Sequence, residues 1–113
     1  MAELKEITDE NFEKEVLNNP KYTSCTFSAL SWCQPCKVLH GILLDIVKTD
    51  LAEKVDFVSA DIESGVPNQA LIANIRGVPT THIYKDKKII GTKVGSVSRQ
   101  HFEQFILETI NSN

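Results

Sequence analysis

The feature that most restricts the fold is the change of hydrophobic period across Cys33-Gln34-Pro35-Cys36. Before it, Tyr22 to Ala29 mixes β-branched, aromatic and small residues, with Cys25, Phe27 and Ala29 at period two, the mark of a buried strand. After it, Leu39, Ile42, Leu43, Ile46 and Val47 recur at i, i+3, i+4, i+7 and i+8, the apolar stripe of an amphipathic helix. A strand that runs into a helix through so short a joint sets Cys33 at or just before a helix N-terminus.

The flanking sequence extends this alternation. Leu4 to Ile7 reads as a short strand, and Thr8 or Asp9 can cap a helix that carries Phe12, Val16 and Leu17 and ends at Asn18-Asn19-Pro20. Val55 to Ala60 is a strand, Asn68 to Asn74 a short helix, and Thr80 to Lys85 and Lys88 to Val94 a hairpin turning at Asp86-Lys87. Ser96 or Ser98 can cap a last helix whose apolar face is Phe102, Phe105, Ile106 and Ile110. The order β-α-β-α-β-α-β-β-α predicts an α/β fold, with parallel strands joined through helices and an antiparallel hairpin at the end. We expect a mixed sheet of about five strands flanked by about four helices, in one domain over residues 1–113.

Composition narrows the function. With 113 residues, 42% of them hydrophobic, the chain can bury a single core. A net charge of −3 leaves no basic excess to neutralise phosphates, which argues against nucleic acid as a partner. The basic run Lys85, Lys87 and Lys88, interrupted by Asp86, reads as a solvated turn. The first residues contain no apolar stretch of signal-peptide length, and no run is long enough to span a bilayer, so the expectation is a cytoplasmic protein without membrane contact. Three cysteines suit a disulfide-stapled secreted scaffold poorly, and Cys-x-x-Cys in a reducing compartment points to redox chemistry or metal.

Position favours redox chemistry. The first N–H groups of a helix have no intrahelical partner, and the aligned peptide dipoles add partial positive charge beside Cys33. Both favour its thiolate, the nucleophilic form. Pro35 fits the first turn, where its missing N–H is not needed. Cys36, about one turn on, can reach Cys33 and close a small disulfide ring. Cys33 would attack a substrate disulfide, and Cys36 would then displace the reduced substrate. Trp32 offers an aromatic surface for docking.

The run Trp32-Cys33-Gln34-Pro35-Cys36-Lys37 resembles the active site of the thioredoxin family, where Gly usually stands in place of Gln34. Ile75-Arg76-Gly77-Val78-Pro79-Thr80 is similar to the family's second signature, and Lys93-Val94-Gly95 to its third. The spacings match, and the resemblance spans nearly the whole chain. It implies the thioredoxin fold, a cis bond before Pro79, and a substrate-binding surface made of Trp32, Gln34, Pro35, Gly77, Val78, Pro79 and Gly95. It implies Cys33 and Cys36 as the catalytic pair and no cofactor beyond their redox-active disulfide. It further implies protein disulfides as substrates, a thioredoxin reductase as electron donor, and a monomer. Pro79 would turn the Val78 backbone towards an extended substrate segment, which pairs like an added strand, and would shield the cysteines from metal ions. With no charge at Gln34 and Pro35 kept, the resemblance implies a reducing protein.

The chain departs from the family in three places. The buried Asp usual below the second cysteine is replaced by Thr26 or Phe27, depending on where one extra residue is placed. Ser59 stands near the place of a common Lys, and Gly41 replaces a helix-kinking proline. Losing the acid suggests a different pH profile and slower resolution by Cys36, which favours a specialised protein with one dedicated partner over a housekeeping one. A non-catalytic adaptor is a further alternative.

Plainer readings stand beside these. A zinc site would need two more ligands at suitable spacing, and no second Cys-x-x-Cys or His-x3-5-His occurs. Cys25 reads as a small buried apolar residue rather than a regulatory thiol. His40 reads as a packing or exposed residue rather than a substitute proton acceptor, and His82 as a satisfied sheet histidine. Trp32 could be a packing residue, although its place beside an exposed nucleophile favours docking. The missing acid generates a test: in the reduced protein, the two cysteine Cβ resonances should titrate without a coupled carboxylate, and a coupled group with a strongly raised pKa would contradict this.

Overall fold

The computed structural model describes residues 3–63 and 74–112. Five strands, β1 (Lys5–Ile7), β2 (Tyr22–Ser28), β3 (Val55–Asp61), β4 (Thr80–Lys85) and β5 (Lys88–Val94), form one sheet in the order β1-β3-β2-β4-β5. β3 runs parallel to β1 and β2, whereas β4 is antiparallel to β2 and to β5. The mixed α/β sheet predicted from element order is therefore present. As the central strand, β2 has Thr23 through Ser28 all buried.

The period-two pattern of β2 sorts its residues onto two faces. Cys25 and Phe27 pack with Ile7, Phe12, Val16, Val58, Ala60 and Tyr84. On the opposite face, Phe57 and Ile83 lie beside Ser24 in the ladder and meet Leu39, Leu43 and Ile46 of α1 (Gln34–Ile46) and Phe102, Ile106 and Ile110 of α2 (Arg99–Asn111). Each helix presents the stripe its sequence period predicted. Ser98, rather than Ser96, caps α2, its Oγ accepting from the His101 N–H at 3.2 Å.

The helix expected after β1 is present but short and irregular. The Phe12 N–H donates to the Thr8 carbonyl at 3.1 Å and the Glu15 N–H to the Asn11 carbonyl at 2.8 Å, and the helix widens over Glu13–Leu17, closed by the Asn18 N–H donating to the Glu13 carbonyl at 2.8 Å. The Thr8 N–H donates to Asn11 Oδ1 (2.7 Å), so Asn11 organises the entry, and Phe12 and Val16 are buried. Of the helix expected over Asn68 to Asn74, residues 68–73 lie outside the described residues. Asp86 and Lys87 take φ values of 54° and 69°, the paired left-handed geometry that matches hairpin twist. No described helix is long and apolar enough to cross a membrane.

Two local features have measurable consequences. Gly41 sits on the exposed side of α1, and a Cβ there would meet nothing within 4 Å. A helix-interior glycine costs roughly 1 kcal/mol against alanine, so Gly41→Ala should raise the unfolding free energy by about 0.5–1 kcal/mol. A denaturation midpoint that stays put or falls would contradict this.

His82 is buried on the Cys25 face, its ring 5.7 Å from that of Phe27 and 6.0 Å from that of Tyr84. It is not the satisfied histidine expected: Nδ1 has no hydrogen-bond partner among the described residues, because the ring is enclosed by apolar and aromatic neighbours. Burial pushes its pKa below the ordinary value, while burial pushes the Cys25 thiol and the Tyr84 phenol up, so both stay neutral. In the unfolded chain the imidazole titrates near its usual value of about 6.5. Below that pH the unfolded state binds a proton that the folded state refuses, and stability falls as pH falls. Unfolding free energy should therefore decline between about pH 7 and pH 5, and His82→Phe should flatten that slope; an unchanged slope in the variant would assign it to other groups.

Candidate active site

β2 ends at Ser28, and the chain turns into α1 over Ala29 to Trp32, held by the Trp32 and Cys33 N–H groups donating to the Ala29 carbonyl at 3.3 and 2.9 Å. Cys33 is the N-cap of α1, with extended backbone (φ −91°, ψ 104°). Its sulfur accepts the Cys36 N–H at 3.2 Å, occupying the place where a Ser, Thr or Asp oxygen usually sits. Pro35 lies in the first turn and removes no needed donor. Cys33 and Cys36 form a disulfide with their Cα atoms 5.2 Å apart. The helix start thus presents an N–H directly to the sulfur that would carry negative charge after reduction.

The three sequence segments singled out above converge here. The Val78–Pro79 bond is cis, and the Val78 carbonyl oxygen lies 3.8 Å from Cys33 Sγ. The Thr80 hydroxyl donates to the Gly77 carbonyl at 2.7 Å, and the Gly95 N–H donates to the Pro79 carbonyl at 2.8 Å. Gly95 has φ +87°, a conformation that a side chain would strain, which explains a glycine at this position. Gln34, Pro35 and Gly77 are exposed, Trp32 is 63% exposed, and Pro79 is buried.

Cys33 is less open than the sequence suggested. It is 5% exposed and Cys36 1%, because Ala29, Leu30, Ile62 and Val78 close around the pair.

Register separates Thr26 from Phe27. Thr26 pairs with Ser59 and Thr81, and these three side chains share the face covered by α1, whereas Phe27 points into the opposite cluster. The Thr26 and Thr81 hydroxyls are buried and hydrogen-bonded to each other at 2.8 Å. Cys25, fully buried, has its thiol pushed up by desolvation and is inert, as read from sequence. Among the described residues, no group of three or more His, Cys, Asp or Glu is placed to hold a metal.

The sequence reading missed Glu63. Its Oε1 accepts the Ser31 hydroxyl at 2.6 Å and its Oε2 accepts the Trp32 indole N–H at 3.1 Å. The signal was available: β2 and β3 are parallel, so a carboxylate two residues past Asp61 emerges at the same sheet end as the Trp32 loop.

Comparison with known proteins agrees with this geometry. The thioredoxin family model matches residues 3–108. A thioredoxin of Buchnera aphidicola subsp. Acyrthosiphon pisum is 39% identical over 111 residues, covering 98% of this chain and 100% of that protein. Thioredoxin C-2 of Corynebacterium nephridii is 32% identical over 109 residues, covering 96% and 98%. The structure of Malassezia sympodialis thioredoxin (Mala s 13), a member of a pan-allergen family, superposes with a TM-score of 0.83 at 25% identity, covering 96% of this chain and 93% of that one. With the family's motif segments gathered about a bonded cysteine pair and the likeness running nearly end to end, this chain belongs to the thioredoxin family.

Proposed function

We propose that this thiol–disulfide oxidoreductase reduces protein disulfides through Cys33 as nucleophile and Cys36 as resolving thiol. The Cys33 thiolate attacks one sulfur of a substrate disulfide; that S–S bond breaks, and the departing substrate sulfur leaves as a thiolate that takes a proton. The Cys36 thiolate then attacks Cys33 Sγ, the mixed disulfide breaks, and the second substrate sulfur leaves and is protonated. Two electrons and two protons pass to the substrate, and the chain is left with the Cys33–Cys36 disulfide. The observation that carries the reading is the Cys36 N–H on Cys33 Sγ, a hydrogen bond that becomes charge-assisted once the sulfur is a thiolate.

Trp32, Gln34, Pro35, Gly77, Val78, Pro79 and Gly95 make the docking surface in this proposal. The Val78 segment, with its carbonyl 3.8 Å from Cys33 Sγ, lies where an extended substrate strand would have to pass. A thioredoxin reductase returns the electrons, and the chain works as a cytoplasmic, monomeric single domain over residues 1–113 that needs no metal or organic cofactor. The bonded cysteines and the family match do not favour a non-catalytic adaptor or a protein restricted to one partner.

Insulin reduction driven by dithiothreitol tests the reading. The wild-type chain should accelerate precipitation of the insulin B chain, and Cys33→Ser should fall to the dithiothreitol background. Cys36→Ser should accumulate a mixed disulfide with substrate. Turnover that survives in Cys33→Ser would overturn the assignment.

A further inference from the structure

Gly41 is a glycine that nothing within the described residues requires. It lies inside α1 in ordinary helical backbone, outside the left-handed region that favours glycine. A Cβ there would meet nothing within 4 Å, so no packed neighbour excludes one. Alanine would strengthen the helix, and the missing side chain weakens it with no return inside the fold. The surroundings are apolar: Val38, 53% exposed, and Leu44 are among the few large apolar side chains left open in the described residues. At 3.6 residues per turn, Gln34, Val38, Gly41 and Asp45 fall within about 60° of one another on the helix surface. All four are exposed, and the line they make starts at Gln34, next to the nucleophile.

We infer that Val38 and Gly41 extend the substrate surface along α1: a protein that carries the target disulfide seats an apolar side chain in the notch at Gly41, against Val38. This deepens the reading of Cys33 as the nucleophile towards protein disulfides and rests on it. The span fits. Gly41 follows Cys33 by eight residues, about 12 Å along the helix. A transient or standard protein interface covers about 600–800 Å² of each partner, a patch roughly 28–32 Å across. Centred on Cys33, such a patch extends past Gly41, so a protein substrate covers this line and a small disulfide compound does not reach it. Without a side chain, Gly41 lets the partner come up to the helix backbone. Val38 supplies apolar area beside it, and Asp45, one turn on, ends the apolar stretch. The substrate class is therefore a protein with an apolar side chain about 12 Å from its reacting disulfide.

Two probes on the full chain test this: insulin, and the small aromatic disulfide dithiobisnitrobenzoate. In the insulin assay, Gly41→Gln should raise KM about tenfold and Gly41→Ala about threefold, the scale of overfilling a packed contact. Val38→Ser should raise it about fivefold through lost apolar burial. Since Gly41→Ala is expected to be more stable than the wild type, a weaker grip on insulin in that variant does not come from damage to the fold. The rate at which the reduced chain attacks dithiobisnitrobenzoate serves as the reference, and the ratio of the insulin rate to this one should fall in all three variants. An equal fall on both probes would place the effect at the sulfurs and overturn the inference. So would an insulin KM that stays put in both Gly41 variants. A Gly41→Gln chain whose oligomeric state on sedimentation differs from that of the wild type would also overturn it, assigning the line to contact between copies. A wild-type chain that reduces neither probe would sink the functional reading, and this inference with it.

Discussion

The capping of α1 by the Cys33 sulfur joins fold and chemistry in one hydrogen bond. A helix start needs an acceptor for its orphan N–H groups, and here that acceptor is the reactive atom, reached by the Cys36 N–H at 3.2 Å. The position is enforced from both sides. Leu39, Leu43 and Ile46 lock the helix onto the sheet, and the Cys33 N–H is tied back to the Ala29 carbonyl at the end of β2. Reduction therefore meets a scaffold that already holds a donor towards the sulfur, and the reordering that usually opposes charge formation at a thiol is small.

On the sheet face covered by α1, the hydroxyls of Thr26 and Thr81 are buried side by side. A neutral pair bonded at 2.8 Å carries none of the desolvation cost of a buried carboxylate and contributes on the order of 1 kcal/mol by itself. A threonine hydroxyl cannot accept a proton at working pH, so the pair contributes to packing and stability and supplies no base.

Much of this was legible in the sequence, because the strong signals were periodic. The period-two run of β2, the i, i+3, i+4 stripe of α1 and the Asp86-Lys87 turn follow from backbone geometry that each residue feels locally. The cysteine pair, Pro79 and Gly95 were legible as motifs. What escaped depended on neighbours distant in sequence. Whether Thr26 or Phe27 faces α1 is a question of strand register, and Glu63 reaches Trp32 only because β2 and β3 lie side by side. The depth of Cys33 depends on Leu30, Ile62 and Val78 meeting around it, a packing fact with no one-dimensional trace. The helix near Phe12 was legible, but not the widening of its last turn over Glu13–Leu17.

One contact far from the cysteines constrains how such a chain can change over evolutionary time. Where α2 crosses β5, a Cβ on Gly91 would stand 2.8 Å from Thr109 Cγ2. Strand and helix approach so closely that the two positions share one allotment of volume. A larger residue at 91 is admissible only alongside a smaller one at 109, so substitutions at these sites should be inherited as pairs, a coupling that neither position would betray if its variation were followed alone.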